Sequence, residues 1–171
     1  MPVLLVQLSD LHAEIKVNAV DAKWHLLCQN VVAQLESEIT TCIIMFCGDA
    51  ANTGQREQFD YASLLLNGLV DYIRNQRPTV DVKVLTIPGN HDCDLTSEDS
   101  EARVGLRRLV IDKVPAASIS TVLLKAQQNY FNFALEHSGV LPTLAAIRPF
   151  YCSVDFSIDE RLLRFHLINS A

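Results

Sequence analysis

The chain has a shortage of basic residues, and this limits what it can bind. Its 171 residues include 14 Lys and Arg against 20 Asp and Glu, for a formal net charge of −6. That balance argues against broad, non-specific binding of nucleic acids or anionic membranes, because both require a basic face. It does not argue against a phosphorylated substrate, since bound metal cations can supply positive charge locally.

The sequence also lacks paired cysteines, a basic leader and any long apolar run. Its five cysteines are odd in number and form no CxxC pair, so neither a disulfide framework nor a zinc knuckle is indicated. No apolar run is long enough to span a bilayer, and residues 1–8 do not form a signal peptide. We therefore predict a cytoplasmic protein without a membrane partner.

What the sequence does contain is an alternation of strand and helix patterns. Apolar segments of strand length occupy residues 3–8, 42–47 and 82–87. Between them, apolar residues recur at helical spacing over about 21–37 and 59–73. The middle strand segment, CIIMFC, is apolar throughout, as expected when both faces of a sheet are covered. This order predicts crossovers into a largely parallel sheet.

The pattern changes after residue 94. A polar segment is followed by apolar positions around residues 104–110, and a helix is predicted over about 119–137. Two alternating strands around Ile158 and Glu160 predict a hairpin. We predict one α/β domain over residues 1–171, with a central, mostly parallel sheet flanked by helices and a helical insertion at about 95–148. Because the chain ends directly after an apolar strand, we expect it to be the N-terminal part of a longer polypeptide.

Polar side chains follow each of the three predicted parallel strands. Asp10 and His12 come after the first strand, Asp49 after the second, and Asn90 and His91 after the third. Residues two apart on an extended backbone point to the same side, so we expect Asp10 and His12 to converge. The carboxyl ends of strands in open α/β sheets meet at the crevice where ligands bind. All five side chains are therefore expected at one edge of the sheet.

This set of side chains indicates a metal site. Carboxylates crowded into a cleft repel each other unless a cation lies among them. Asp, His and Asn ligands, with no thiolate required, suit divalent Mn, Fe, Zn or Ni. Asp49 follows the central strand and is well placed to bridge two ions. Two ions about 3.5–4 Å apart would activate a water and stabilise the entering and leaving oxygens of phosphoryl transfer.

The segments SDLH, CGDAAN and IPGNHD, in this order after three strands, resemble the first three signature blocks of the calcineurin-like metallophosphoesterase superfamily. The resemblance covers residues 3 to about 94 and implies half of that family's sandwich fold. It implies a metal-dependent phosphoesterase, acting on a phosphomonoester or phosphodiester through a water activated by two divalent metals. Asp10 and His12 match ligands of the first metal, Asp49 the bridging ligand, and Asn90 a ligand of the second. His91 matches the histidine that binds the substrate phosphate and protonates the leaving group.

Two neighbouring residues are expected to support the site without binding metal. Asn52 is expected to orient its loop by capping the next helix. Asp92 is expected to hold His91 or the loop through hydrogen bonds. Cys93 is expected to be an inert thiol, although metal binding or oxidation is an alternative. Three arginines in the insertion are expected on a solvated helical face, with phosphate contact as the alternative: Arg103, Arg107 and Arg108.

The sequence departs from the family in its histidines. Family members complete both metals with later histidines, one after a middle strand and a Gly-His-x-His pair. The remaining histidines here, His25, His137 and His166, have no such motif around them. The alternative hypothesis is therefore a catalytically incomplete or regulatory module that binds a partner chain or domain. The insertion at about 95–148 has no aromatic and basic stripe, so single-stranded nucleic acid is not indicated as a substrate.

Overall fold

Three strands form a parallel sheet at the centre of the fold. The computed structural model describes residues 2–14, 19–96, 124–138 and 151–170. Strands β1 (Val3–Leu8), β2 (Thr41–Cys47) and β3 (Asp81–Ile87) lie side by side in that order, and all run in the same direction. The three predicted strands and their parallel arrangement are confirmed.

The central strand, β2, is buried on both faces. Ile43 and Ile44 point to opposite sides of the sheet, and neither is exposed to solvent. Ile43 pairs with Leu5 of β1 and with Lys83 of β3, so the strand has a neighbour at each edge. A strand covered on both faces requires an apolar sequence without alternation, and this explains the CIIMFC segment.

The described helices cover one face of this sheet. They are α1 (Ala19–Ala33), α2 (Arg56–Gln76) and α3 (Gln128–Ser138). The residues that helical spacing predicted to face inward from α2 are all buried: Phe59, Leu65, Leu66, Leu69, Val70 and Ile73. Helix α1 ends before the predicted residue 37, but Leu35 is fully buried in the turn that follows. The apolar spacing therefore predicted the burial of Leu35 correctly, but it predicted a longer helix than α1.

A hairpin covers the other face. Strands β4 (Tyr151–Ile158) and β5 (Arg161–Ile168) pair antiparallel around the two-residue turn predicted for this region. Both turn residues, Asp159 and Glu160, have positive φ angles, of 47° and 64°. That conformation matches the twist of paired strands. On its inner side the hairpin packs on the sheet through a second apolar cluster, which includes Ile43, Leu85, Cys152 and Val154.

Part of the predicted insertion lies outside the described residues. This applies to the apolar positions around residues 104–110 and to the first residues of the helix predicted over 119–137. Within the described part, the positions predicted to face inward are buried: Ala126, Tyr130, Phe133 and Ala134. None of the described helices is long and apolar enough to cross a membrane.

Candidate metal centre

The loops that follow β1 and β2 run side by side beyond the edge of the sheet. Backbone hydrogen bonds join them at three steps: Asp10 donates to Gly48 (3.2 Å), His12 to Asp49 (2.9 Å) and Ala13 to Ala50 (2.9 Å). The register of the two strands thus continues into the loops. The side chains predicted to meet are brought to the same place by backbone pairing.

Three residues of these loops, Asp10, His12 and Asp49, have left-handed backbone conformations. The φ angles are 57° for Asp10, 45° for His12 and 55° for Asp49, and Gly48 precedes the last with 93°. Asp and His tolerate this region better than most residues, but it still costs about 1 kcal/mol or more per position. Asp10 and His12 therefore converge through two sharp turns, and the extended backbone expected from the sequence is wrong. Such strain is typical of functional sites.

The three side chains form a group that can hold a cation. One ligand atom from each of Asp10, His12 and Asp49 lies within 4.8 Å of the others, and His12 Nε2 is 3.8 Å from Asp10 Oδ1. The carboxylates of Asp10 and Asp49 therefore lie close enough to repel each other by roughly 1–3 kcal/mol, depending on solvent screening. Among the described residues, no lysine or arginine forms an ion pair with either carboxylate. The donor set, two carboxylates and an imidazole, fits a divalent transition metal.

The loop after β3 approaches the Asp49 loop very closely. A single 3₁₀ turn, Asn90–Asp92, follows Gly89, and the backbone N–H of His91 donates to Asp49 Oδ1 at 2.9 Å. A Cβ on Gly89 would overlap the Asp49 carboxylate and backbone nitrogen. Asn90 is exposed at the start of the turn. This places Asn90 on the segment next to Asp49, and its role as a ligand stays a prediction.

The ring of His91 is fixed by a neighbouring carbonyl. Its Nδ1 lies 2.8 Å from the backbone oxygen of Asn52, and because a carbonyl only accepts, Nδ1 must carry the proton. The ring also packs edge-on against His12, with centroids 4.6 Å apart. Nε2 is therefore the nitrogen left to exchange a proton with a ligand.

Asn52 does not cap the next helix, and that prediction is wrong. Helix α2 begins at Arg56 with Gln55 at its N-cap, and the Gln58 side chain in the first turn accepts the N–H groups of Gln55 (3.3 Å) and Thr53 (2.9 Å). The Asn52 side chain instead donates to Glu14 Oε1 at 2.9 Å. Asn52 thus ties the second loop to the first with its side chain and orients His91 with its carbonyl.

Asp92 lies beneath these loops with no exposed surface. Its Oδ1 accepts the N–H of Ala51 and its Oδ2 accepts the N–H of Gly89, both at 2.8 Å. Burial raises the pKa of Asp92 to about 6, and the charge of Asp49 adds to the effect, although hydrogen bonds from the backbone of Gly89, Ala51 and Asp49 oppose it. The carboxylate joins the loop after β2 to the loop after β3, and its supporting role in a metal site stays a prediction.

Several residues that hold this region together were not found from the sequence. Asn129 of α3 donates to the carbonyl of Gly54 at 2.9 Å, and buried Gln127 contacts the side chains of Cys93 and Asn169. These partners lie 34 to 75 positions apart in the chain. No local pattern marks such long-range contacts, so no sequence signal could have identified them.

The other histidines lie elsewhere. His25 contacts Gln29 and Tyr72, His137 contacts Ser63, and His166 stacks on Tyr151. Among the described residues, none of these three histidines joins the group of Asp10, His12 and Asp49. The predictions for Arg103, Arg107 and Arg108 fall outside the described residues.

Comparison with known proteins agrees with the geometry. A family model described as calcineurin-like phosphoesterase matches residues 3–164, which include the three parallel strands, the loops that follow them and most of the hairpin. No curated protein and no solved structure matches the chain.

Proposed function

Because the chain belongs to the calcineurin-like phosphoesterase family, we propose that it hydrolyses a phosphomonoester or phosphodiester with divalent cations held beside Asp10, His12 and Asp49. One observation carries the proposal: three ligand atoms from two separate loops converge within 4.8 Å. The backbone strain at all three residues and the absence of a lysine or arginine ion-pair partner among the described residues support it.

The proposed ligands divide between two ions. Asp10 and His12 would hold the first, Asn90 would hold the second, and Asp49 would be shared between them. The His91 N–H that donates to Asp49 Oδ1 holds the bridging carboxylate in one orientation. When bound, the cations would supply the Lewis acidity that activates a water and offsets charge on the phosphoryl oxygens. Manganese is the first cation to test, since oxygen-rich donor sets suit it.

His91 is proposed to protonate the leaving group. The Asn52 carbonyl holds Nδ1 in its protonated form, so the second proton of the imidazolium form lies on Nε2. That N–H donates to a phosphate oxygen or transfers its proton to the departing oxygen, and the transfer leaves the ring neutral. A positioned acid of this kind contributes about 10²–10⁴-fold to a rate. This role does not require His91 to bind metal.

The test combines metal binding with hydrolysis of p-nitrophenyl phosphate and bis-p-nitrophenyl phosphate. We expect Asp49→Asn to weaken Mn²⁺ binding and to abolish turnover. We expect His91→Gln to keep Mn²⁺ binding and to lower kcat by about 10²–10⁴-fold. Asp60→Asn and His25→Gln, on exposed faces of α2 and α1, are the matched controls and should behave as the wild type. If both site variants hydrolyse the esters at the wild-type rate, the proposal is wrong.

One observation favours a second candidate function. Within the described part of the chain the ligand group contains a single histidine, His12, and His25, His137 and His166 lie elsewhere. A regulatory module would not need further histidine ligands, because it keeps the fold and part of the metal site only to bind a partner chain or domain. The two functions separate in the same experiment, since such a module would bind Mn²⁺ but hydrolyse neither ester.

A further inference from the structure

A buried carboxylate joins the two loops on which the proposed second metal depends. Asp92 has no exposed surface, and among the described residues it forms no ion pair with a basic side chain. Burying an unpaired charge is unfavourable unless strong hydrogen bonds replace the lost water. Both oxygens of Asp92 receive such bonds at 2.8 Å, from the N–H groups of Ala51 and Gly89.

The two anchored N–H groups lie next to proposed ligands. Ala51 is two residues after Asp49, and Gly89 directly precedes Asn90. A second contact links the same loops, since the His91 N–H donates to Asp49 Oδ1 at 2.9 Å. Chain and hydrogen bonds therefore form a closed ring that runs from Asp49 to Ala51, across Asp92 to His91, and back to Asp49. Such a ring restricts how far the two loops can separate.

We infer that Asp92 is a positioning residue, which holds the Asp49 and Asn90 loops at the spacing that cations require before any cation binds. The inference rests on the proposed function, because it assumes that these loops carry metal ligands. It extends that function by assigning the affinity of the site partly to a residue that touches no metal. Groups that orient ligands in this way typically change metal affinity or activity by about 10–100-fold when they are removed.

The first test is Asp92→Asn, which replaces one acceptor oxygen by an NH₂ group and keeps the shape of the side chain. Both partners of Asp92 are N–H donors, so Asp92→Asn must turn an NH₂ group toward one of them. We expect the variant to fold, and its half-saturating Mn²⁺ concentration to rise by about 10–100-fold. Binding is measured by the electron paramagnetic resonance signal of free Mn²⁺, without substrate. The inference predicts that kcat at saturating Mn²⁺ recovers more fully than the affinity does.

A matched control comes from the same loop. Asp94→Asn also removes one negative charge, but Asp94 uses Oδ1 to accept the N–H of Thr96 at 2.9 Å, and an amide oxygen can do the same. We expect its Mn²⁺ affinity to stay within about twofold of the wild type, below the 10–100-fold effect of losing a positioning group. If Asp92 merely stabilises the fold, Asp92→Asn lowers the unfolding temperature but leaves the Mn²⁺ half-saturation of the folded protein unchanged. That result would overturn the inference.

A second measurement needs no variant. In the metal-free wild type, hydrogen exchange at the amides of Ala51 and Gly89 should be slow, because both are bonded to a buried carboxylate before metal binds. The amide of Ile44 in the central strand is the reference for slow exchange. If the Ala51 and Gly89 amides exchange as fast as those of an unfolded peptide, the loops are not held in advance and the inference fails.

The outcomes separate the inference from the function on which it rests. If the wild type binds Mn²⁺ and Asp92→Asn binds it equally well, the inference fails and the proposed function stands. If the wild type binds no Mn²⁺, both fall together. Weakened binding in Asp92→Asn, normal binding in Asp94→Asn and slow exchange in the metal-free wild type together support it.

Discussion

Replacing Gly89 by alanine tests the close approach of the loops after β2 and β3. Gly89 has φ −109° and ψ 179°, a conformation that any residue adopts, so alanine causes no backbone strain. The obstacle is space, because a Cβ would overlap the carboxylate and backbone nitrogen of Asp49. The three atoms nearest to the added Cβ all belong to Asp49, so the substitution acts directly on this proposed ligand.

The size of the effect follows from two opposing contributions. Adding a methyl group to a well-packed position costs about 1–3 kcal/mol. Reduced freedom of the unfolded chain returns about 0.4–1 kcal/mol. Because the overlap includes a backbone nitrogen, which cannot rotate away as a side chain can, the cost lies at the upper end of its range, and we expect a net loss of roughly 2–2.6 kcal/mol. Each kcal/mol shifts the unfolding temperature of a domain of this size by about 2–4 °C. Gly89→Ala should therefore unfold about 4–10 °C below the wild type and bind Mn²⁺ more weakly.

Gly68 provides the control, since the same change there should have the opposite sign. It lies in the middle of α2, and a Cβ at this position would meet nothing within 4 Å. Glycine inside a helix costs about 0.5–1 kcal/mol relative to alanine, so Gly68→Ala should raise the unfolding temperature and leave Mn²⁺ binding unchanged. Scanning calorimetry and a Mn²⁺ titration measure both variants. If Gly89→Ala is as stable as the wild type and binds Mn²⁺ normally, the loops do not approach as described.

Three further predictions concern buried groups around the core. Tyr130→Phe removes the buried hydrogen bond to Thr86 (3.0 Å) and should lower the free energy of unfolding by about 1–3 kcal/mol in urea, because Thr86 loses its partner; an unchanged value would contradict the described contact. Burial lowers the pKa of His137, which contacts Ser63. The unfolded chain therefore binds a proton at a higher pH than the folded chain does. As the pH falls below the usual range of histidine, the wild type should lose stability relative to His137→Gln. Equal pH dependence of the two proteins between pH 7 and 5 would refute this. Burial raises the pKa of Cys42 to about 11, so iodoacetamide at pH 8 should leave it unmodified in the folded protein and alkylate it after unfolding in urea; modification of the native protein would show that Cys42 is accessible.

The candidate site departs from ordinary local preferences in several ways at once. Asp10, His12 and Asp49 occupy left-handed backbone, and Asp92 is a carboxylate with no exposed surface. Each feature is unfavourable by itself, whereas the residues of α2 that helical spacing predicted to face inward are all buried. Folded proteins concentrate such departures where a ligand binds. The site is therefore distinguished by its strained backbone and its buried carboxylate as well as by its residue types.

The sequence by itself determined the alternation of strands and helices, the apolar central strand and the residues of α2 that face the core. These features depend on local periodicity, which contacts close in the chain impose directly. It also determined which polar residues follow each parallel strand, and so predicted that Asp10, His12 and Asp49 share one edge of the sheet.

Only the tertiary structure decided how those side chains converge. The left-handed turns at Asp10 and His12, the bond from Asn52 to Glu14 and the bond from Ala51 to Asp92 all depend on contacts between segments that are distant in the chain. A backbone N–H finds whichever acceptor the packed fold brings near it, and a local pattern does not specify that acceptor. Residue types therefore indicate a metal site from the sequence alone, whereas the spacing of its ligands is set when the three loops pack together.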